Sequence, residues 1–285
     1  MCIRDSFNLL RSPAIQEGSL DLMPAGAAVF AVATVNPESE AARKPLTDGS
    51  GRRAVTLMDL GHELFANIED ASFFVMPQAD STPLGELPRA ALALRVNDPS
   101  QSRDLIRFAF DTVQSAAANL GMKVQGPEPV AMGEDVTAER LTIEGFPILL
   151  ATRGDRLVVS ASQQLVTESL SPTGSSVRTD SAFQAALSRD SVSRIVGVQL
   201  GRAGEIALAL APKRQVRQMQ SWVSMLRGSS VGMSVRHTAT TLCLSARVSG
   251  IPSIEPTLRG LVRSRKVSSG VPPGRANGRR ARRAH

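Results

Sequence analysis

The stretch Leu92-Ala93-Leu94-Arg95-Val96, followed by Pro99-Ser100, has a counterpart in Leu244-Ser245-Ala246-Arg247-Val248, followed by Pro252-Ser253. Each reads as a strand that turns and enters a helix, with proline at the helix start, where its missing N–H is not needed. Reading outward from the two stretches gives the order β-α-β-β-α twice. In the first, a strand over 27–34, a helix over 55–68 and a strand over 71–76, closed by Pro77, precede a strand over 90–96 and a helix from Pro99. In the second, a strand over 195–200, a helix over 213–226 and a strand over 231–237 precede a strand over 240–248 and a helix over 253–265. The sequence thus predicts an α+β fold of two related halves, mainly antiparallel sheets covered by helices. Chance similarity between two strand-to-helix stretches of one α+β chain is the alternative reading.

Asp98 is the expected N-cap of the helix from Pro99, with Ile106, Phe110, Val113, Ala117 and Leu120 as its apolar stripe and Gly121 as its stop. Strands are expected over 136–143, 147–152 and 157–161, the last two joined by Gly154-Asp155. Ser162 and Thr179-Asp180 are expected to cap short helices over 163–170 and 181–187. The polar segment 36–53 reads as a loop. The second half offers no counterpart to the three strands, and the expectation is a truncated or frameshifted C-terminus.

The chain has 285 residues with 42% hydrophobic side chains, enough for a substantial core, so whole-chain disorder is excluded. The formal charge of +7 is confined to one end. Nine of the 33 Lys and Arg stand between Arg259 and His285, where no acid occurs, which leaves 24 basic against 26 acidic residues in the rest. The body is close to neutral, so a basic track for a phosphate backbone is not expected along it. With 4% aromatics and no Tyr, stacking platforms for bases are also scarce.

The organisation expected is a linker over 1–19, a first α+β unit over 20–190, a second and incomplete unit over 191–266, and a disordered basic tail over 267–285. Met1-Cys2-Ile3-Arg4-Asp5-Ser6 resembles the translation of a sequencing adapter, so Cys2 is discounted and a missing upstream segment is expected. That leaves Cys243 as a small buried hydrophobe. No run reaches the ~20 apolar residues of a membrane-spanning helix.

Catalytic signals are weak. Gly228-Ser229-Ser230-Val231-Gly232 matches the G-x-S-x-G pattern, but the elbow that activates such a serine needs strand, turn, then helix, and Ser230 follows a helix and precedes a strand. His237 on the next strand is its nearest downstream imidazole. His62 has Asp59 at i−3, yet Ala66 stands where a second zinc-binding His would be required, so a polar helix face explains it. No phosphate loop, dinucleotide fingerprint or paired-cysteine zinc spacing occurs. Catalytic, cofactor and metal residues are each expected to be none.

Gly154-Asp155-Arg156-Leu157-Val158-Val159-Ser160-Ala161-Ser162, the helix to Leu170, and Val177-Arg178-Thr179-Asp180-Ser181-Ala182-Phe183-Gln184-Ala185-Ala186-Leu187 resemble the middle of the DUF3352-type bacterial proteins. There a strand, a Ser-capped helix and a further helix precede another strand. Met23-Pro24-Ala25-Gly26 is similar to the opening of that family. The resemblance implies a secreted or membrane-anchored bacterial protein, with a periplasmic or membrane-anchored location expected and no established catalytic residues. The function expected is a noncatalytic extracytoplasmic scaffold or binding module with a protein partner; a membrane anchor would need the missing upstream segment. Two alternatives are a hydrolase with Ser230, His237 and an acid meeting at the junction of the halves, and association of the Arg-rich tail with nucleic acid or an anionic surface.

Overall fold

Along Val29–Thr34 buried residues alternate with half-buried ones, which turns Phe30, Val32 and Thr34 to one side and leaves Val29, Ala31 and Ala33 on the other. This strand, β1, anchors the sheet in the computed structural model, which describes residues 12–35, 66–82, 85–170, 175–184, 192–237 and 242–250. The other strands are β2 (Ile68–Thr82), β3 (Gly85–Val96), β4 (Val124–Pro129), β5 (Thr137–Ile143), β6 (Phe146–Arg153), β7 (Arg156–Ser160), β8 (Arg194–Gln199), β9 (Ser230–His237) and β10 (Leu242–Ser249). They form one ten-stranded sheet in the order β10-β9-β8-β1-β2-β3-β7-β6-β5-β4, and every neighbouring pair is antiparallel. The helices are α1 (Glu17–Asp21), α2 (Pro99–Asn119), α3 (Gln163–Leu170), α4 (Ser181–Gln184), α5 (Leu200–Leu210) and α6 (Lys213–Met225). The α+β class with a mainly antiparallel sheet is therefore observed.

Each face has its own core. On the first face Phe30, Val32, Phe74, Ala93 and Val158 pack beneath Leu165, Val166 and Leu170 of α3 and Phe183 of α4. Leu20 of α1 adds to this layer, and Ile15 before it donates its N–H to the Val192 carbonyl at 2.7 Å. On the second face Leu94, Val96, Leu141, Leu150 and Leu157 pack under Phe110 of α2.

Several boundaries differ from the sequence reading. β2 passes through Pro77, because a register shift between Val75 and Ala79 lifts that residue out of the β2–β3 ladder. α1, β4 and α5 have no counterpart in the expected elements, α1 beginning within the stretch expected to be a linker. The stripe of α2 is also narrower than expected: Phe110 and Ala117 are buried, whereas Val113 and Leu120 are exposed. The expected helices over 55–68 and 253–265, and the tail, lie almost wholly outside the described residues.

Asp98 caps α2 as expected, its carboxylate accepting from the Ser100 N–H at 3.0 Å and the Gln101 N–H at 3.1 Å. The Ser100 hydroxyl and these amides hold the Asp98 carboxyl below its ordinary value of 3.8. A depressed acid contributes stability above its unfolded value and loses it as pH falls through the folded value. Asp98→Ala should therefore lower the thermal midpoint at neutral pH, and the gap from the parent should close below pH 3.8, as read by circular dichroism.

Candidate binding surfaces and a buried charge cluster

Ser230 begins β9 and His237 ends it, so ~23 Å of extended chain separates them. Ser230 is buried and shares a 2.7 Å hydrogen bond with the Ser249 hydroxyl. The structure places the serine inside a strand ladder, not on an exposed elbow, and does not bring it to His237. Cys243 is half-buried in β10 opposite Arg236. Cys2 and His62 lie outside the described residues. Among the described residues no three His, Cys, Asp or Glu side chains are grouped to hold a metal ion, and no helix is long and apolar enough to cross a membrane.

What the sequence did not announce is a charge cluster at one end of the first face. Asp70 on β2 faces the core and is 1% exposed, with Ser19 of α1 donating its hydroxyl to Asp70 Oδ2 at 2.5 Å. Arg95 on β3 stands across the ladder from Asp70 and forms a close ion pair with Glu69. Its Nε lies 3.4 Å from Asp155 Oδ2 and 3.9 Å from Asp70 Oδ2, and its Nη1 donates to Gln16 Oε1 at 2.5 Å. Three carboxylates thus share one guanidinium. Burial raises the Asp70 carboxyl above its ordinary value of 3.8, opposed by Ser19 and Arg95 and reinforced by Glu69 and Asp155. Beside the cluster a cavity of about 210 Å³ is lined by Gln16, Thr34, Ile68, Glu69, Asp70 and Asn97, among others.

A second knot ties α4 to the start of α5. Asp180 Oδ2 accepts from the Gly26 N–H at 3.0 Å and from Arg202 Nη1 at 2.5 Å. Arg202 Nη1 also reaches the Ala27 carbonyl at 3.1 Å, so one ion pair fixes the entry to β1.

The largest unmatched feature is apolar. By the strand register Val196 on β8, Met233 on β9, Leu244 and Val248 on β10, Phe73 on β2 and Leu92 on β3 all point to the second face. All six are exposed, from 37% for Val196 to 71% for Leu244. Between them Val29, Ala31 and Ala33 of β1 add no charge, and Arg194 stands at one end. Six strands ~4.8 Å apart make a surface ~24 Å wide and ~17 Å long, about 400 Å². A contiguous apolar patch of that size on a single chain is commonly a binding surface. Comparison of the chain with protein-family models, with curated proteins and with solved structures finds no match.

Proposed function

We propose that this protein is a noncatalytic scaffold or binding module that docks a partner on the open second face of its sheet. The six exposed apolar side chains between β10 and β3 carry the reading, because water-exposed hydrophobic area of this extent is stabilised by being covered. The resemblance of residues 154–187 to the DUF3352-type proteins supports an extracytoplasmic setting. The appearance of the mature chain in the periplasmic fraction of the source cells would bear this out, and purely cytosolic recovery would oppose it.

The proposal includes two related halves. Supporting this, β1, β2 and β3 run outward on one side of the β1–β8 pair, and β8, β9 and β10 run outward on the other. The two stretches matched in sequence lie in β3 and β10, third from that junction on either side. Leu92 and Leu244 face the second side of the sheet, and Arg95 and Arg247 the first.

The docking reading is tested by replacing Phe73, Met233 and Leu244 together with serine. Fluorescence enhancement of an apolar dye such as bis-ANS is expected to fall severalfold while the far-ultraviolet spectrum is unchanged. Dye binding that stays at the parent level would show the face is not what is open, and the reading would be lost.

A further inference from the structure

β10 is an outermost strand, and its eight residues keep unbroken register with β9. The opposite edge is blunted: β4 carries Gly126 and Pro127, and its register shifts between Gln125 and Glu128. β10 has neither proline nor bulge. In an antiparallel ladder every second residue turns its N–H and C=O away from the neighbour, and among the described residues no strand meets those groups on the outer side of β10.

β3 shows how the same kind of edge is filled. It pairs with β7 from Ala91↔Ser160 to Arg95↔Arg156. Asp155, just ahead of β7, accepts the Val96 N–H on its carbonyl at 2.9 Å and sets its carboxylate 3.4 Å from Arg95 Nε. Arg247, at the place of Arg95 in the matched stretch, is exposed and stands opposite Gly232, without an ion pair among the described residues. The strands β8, β9 and β10 contain Arg194, Arg236 and Arg247 and no acid.

We propose that β10 accepts an antiparallel strand from another polypeptide: an extended segment, apolar at alternate positions, whose carboxylate meets Arg247. The inference rests on the related-halves reading and names the partner that reading leaves open. Backbone hydrogen bonds along the edge would supply the affinity and the carboxylate the register.

The test uses the full chain carrying Cys2→Ser, so that Cys243 is its one thiol. If the β3 pairing is the template, Ser160 of an arriving β7-like strand falls opposite Cys243. The probe is a blocked peptide copying residues 155–161 with Ser160→Cys, its sulfur activated as a mixed disulfide with thionitrobenzoate. The Cys243 thiolate attacks the peptide sulfur, a Cys243–peptide disulfide forms, and thionitrobenzoate leaves and is read by absorbance. Reaction is expected to be about tenfold faster than with the cysteine moved to the Val159 position, whose side chain points to the other face. Asp155→Asn in the peptide should slow it about two- to fivefold, and Arg247→Gln in the protein should abolish that difference. Hydrogen exchange should show the outward-facing amides of Leu244, Ala246 and Val248, at the places of Leu92, Leu94 and Val96, unprotected before linkage and protected after it, with the amides that bond β9 protected throughout. Equal rates for the two cysteine placements would overturn the proposal while leaving the related halves standing. Fastest reaction from the Val158 position would mean another register, and then the β3 template and the related halves fail together.

Discussion

Phe30→Ala is expected to lower the free energy of unfolding by about 3–5 kcal/mol, the range for deleting a buried aromatic ring. Phe30 is fully buried at the junction where β1 joins β8, and its ring meets Phe183 edge to face with centroids 4.7 Å apart. On β8 its register partner is Gly197, and a Cβ added there would overlap the Phe30 ring. The glycine is thus the space in which the phenylalanine lies, and each residue explains the other. Gly197→Ala alone should destabilise by about 1–3 kcal/mol through overpacking. In the Phe30→Ala background the same substitution should be much milder, because the added methyl enters the cavity the ring has left. Denaturant unfolding of the two single variants and the double variant checks the cycle. Additive losses would mean that Gly197 is needed for some reason other than room for the ring.

The junction also shows how far the sequence could be read. Small and β-branched residues over 27–34 announce a buried strand, and β5, β6, β7, β9 and α3 follow their patterns to within a few residues. α5 escapes because Gly201 and Gly204 argue against a helix. Gly204 is small so that α6 can approach, since a Cβ there would come within 2.6 Å of Val223. β4 escapes because Val-Gln-Gly-Pro-Glu-Pro has no alternation; it is held by its ladder with β5. The open face was legible only in pieces: each strand shows its own alternation, but six strands from distant parts of the chain must be set side by side before the exposed residues coincide. The charge cluster was less legible still. Ser19, Asp70, Arg95 and Asp155 come from four separate segments, and the one local hint is an acid at an inward position of an apolar strand.

Arg95→Met is expected to lose about 3–5 kcal/mol at neutral pH, the range for removing one partner of a buried ionic group. The methionine keeps most of the side-chain volume, so the loss reports charge: Glu69, Asp70 and Asp155 would face one another with no cation between them. Adding Asp70→Asn should return part of the loss, because the most buried of the three charges is gone. The effect of Asp70→Asn in the parent chain has a sign fixed by linkage. Burial raises the folded carboxyl above 3.8, so the folded state binds more protons than the unfolded one between 3.8 and the folded value, and stability falls as pH rises through that window. Asparagine resembles the protonated acid and does not titrate. The stability of Asp70→Asn relative to the parent should therefore increase from pH 4 towards neutrality and then level off, as followed by urea unfolding at a series of pH values. A relative stability that declines over that range would mean the ionised carboxylate is favoured by Arg95 and Ser19 over its own desolvation. In that case the Arg95→Met loss should be smaller in the Asp70→Asn background than in the parent chain, because the attraction between Arg95 and the ionised Asp70 is already absent there.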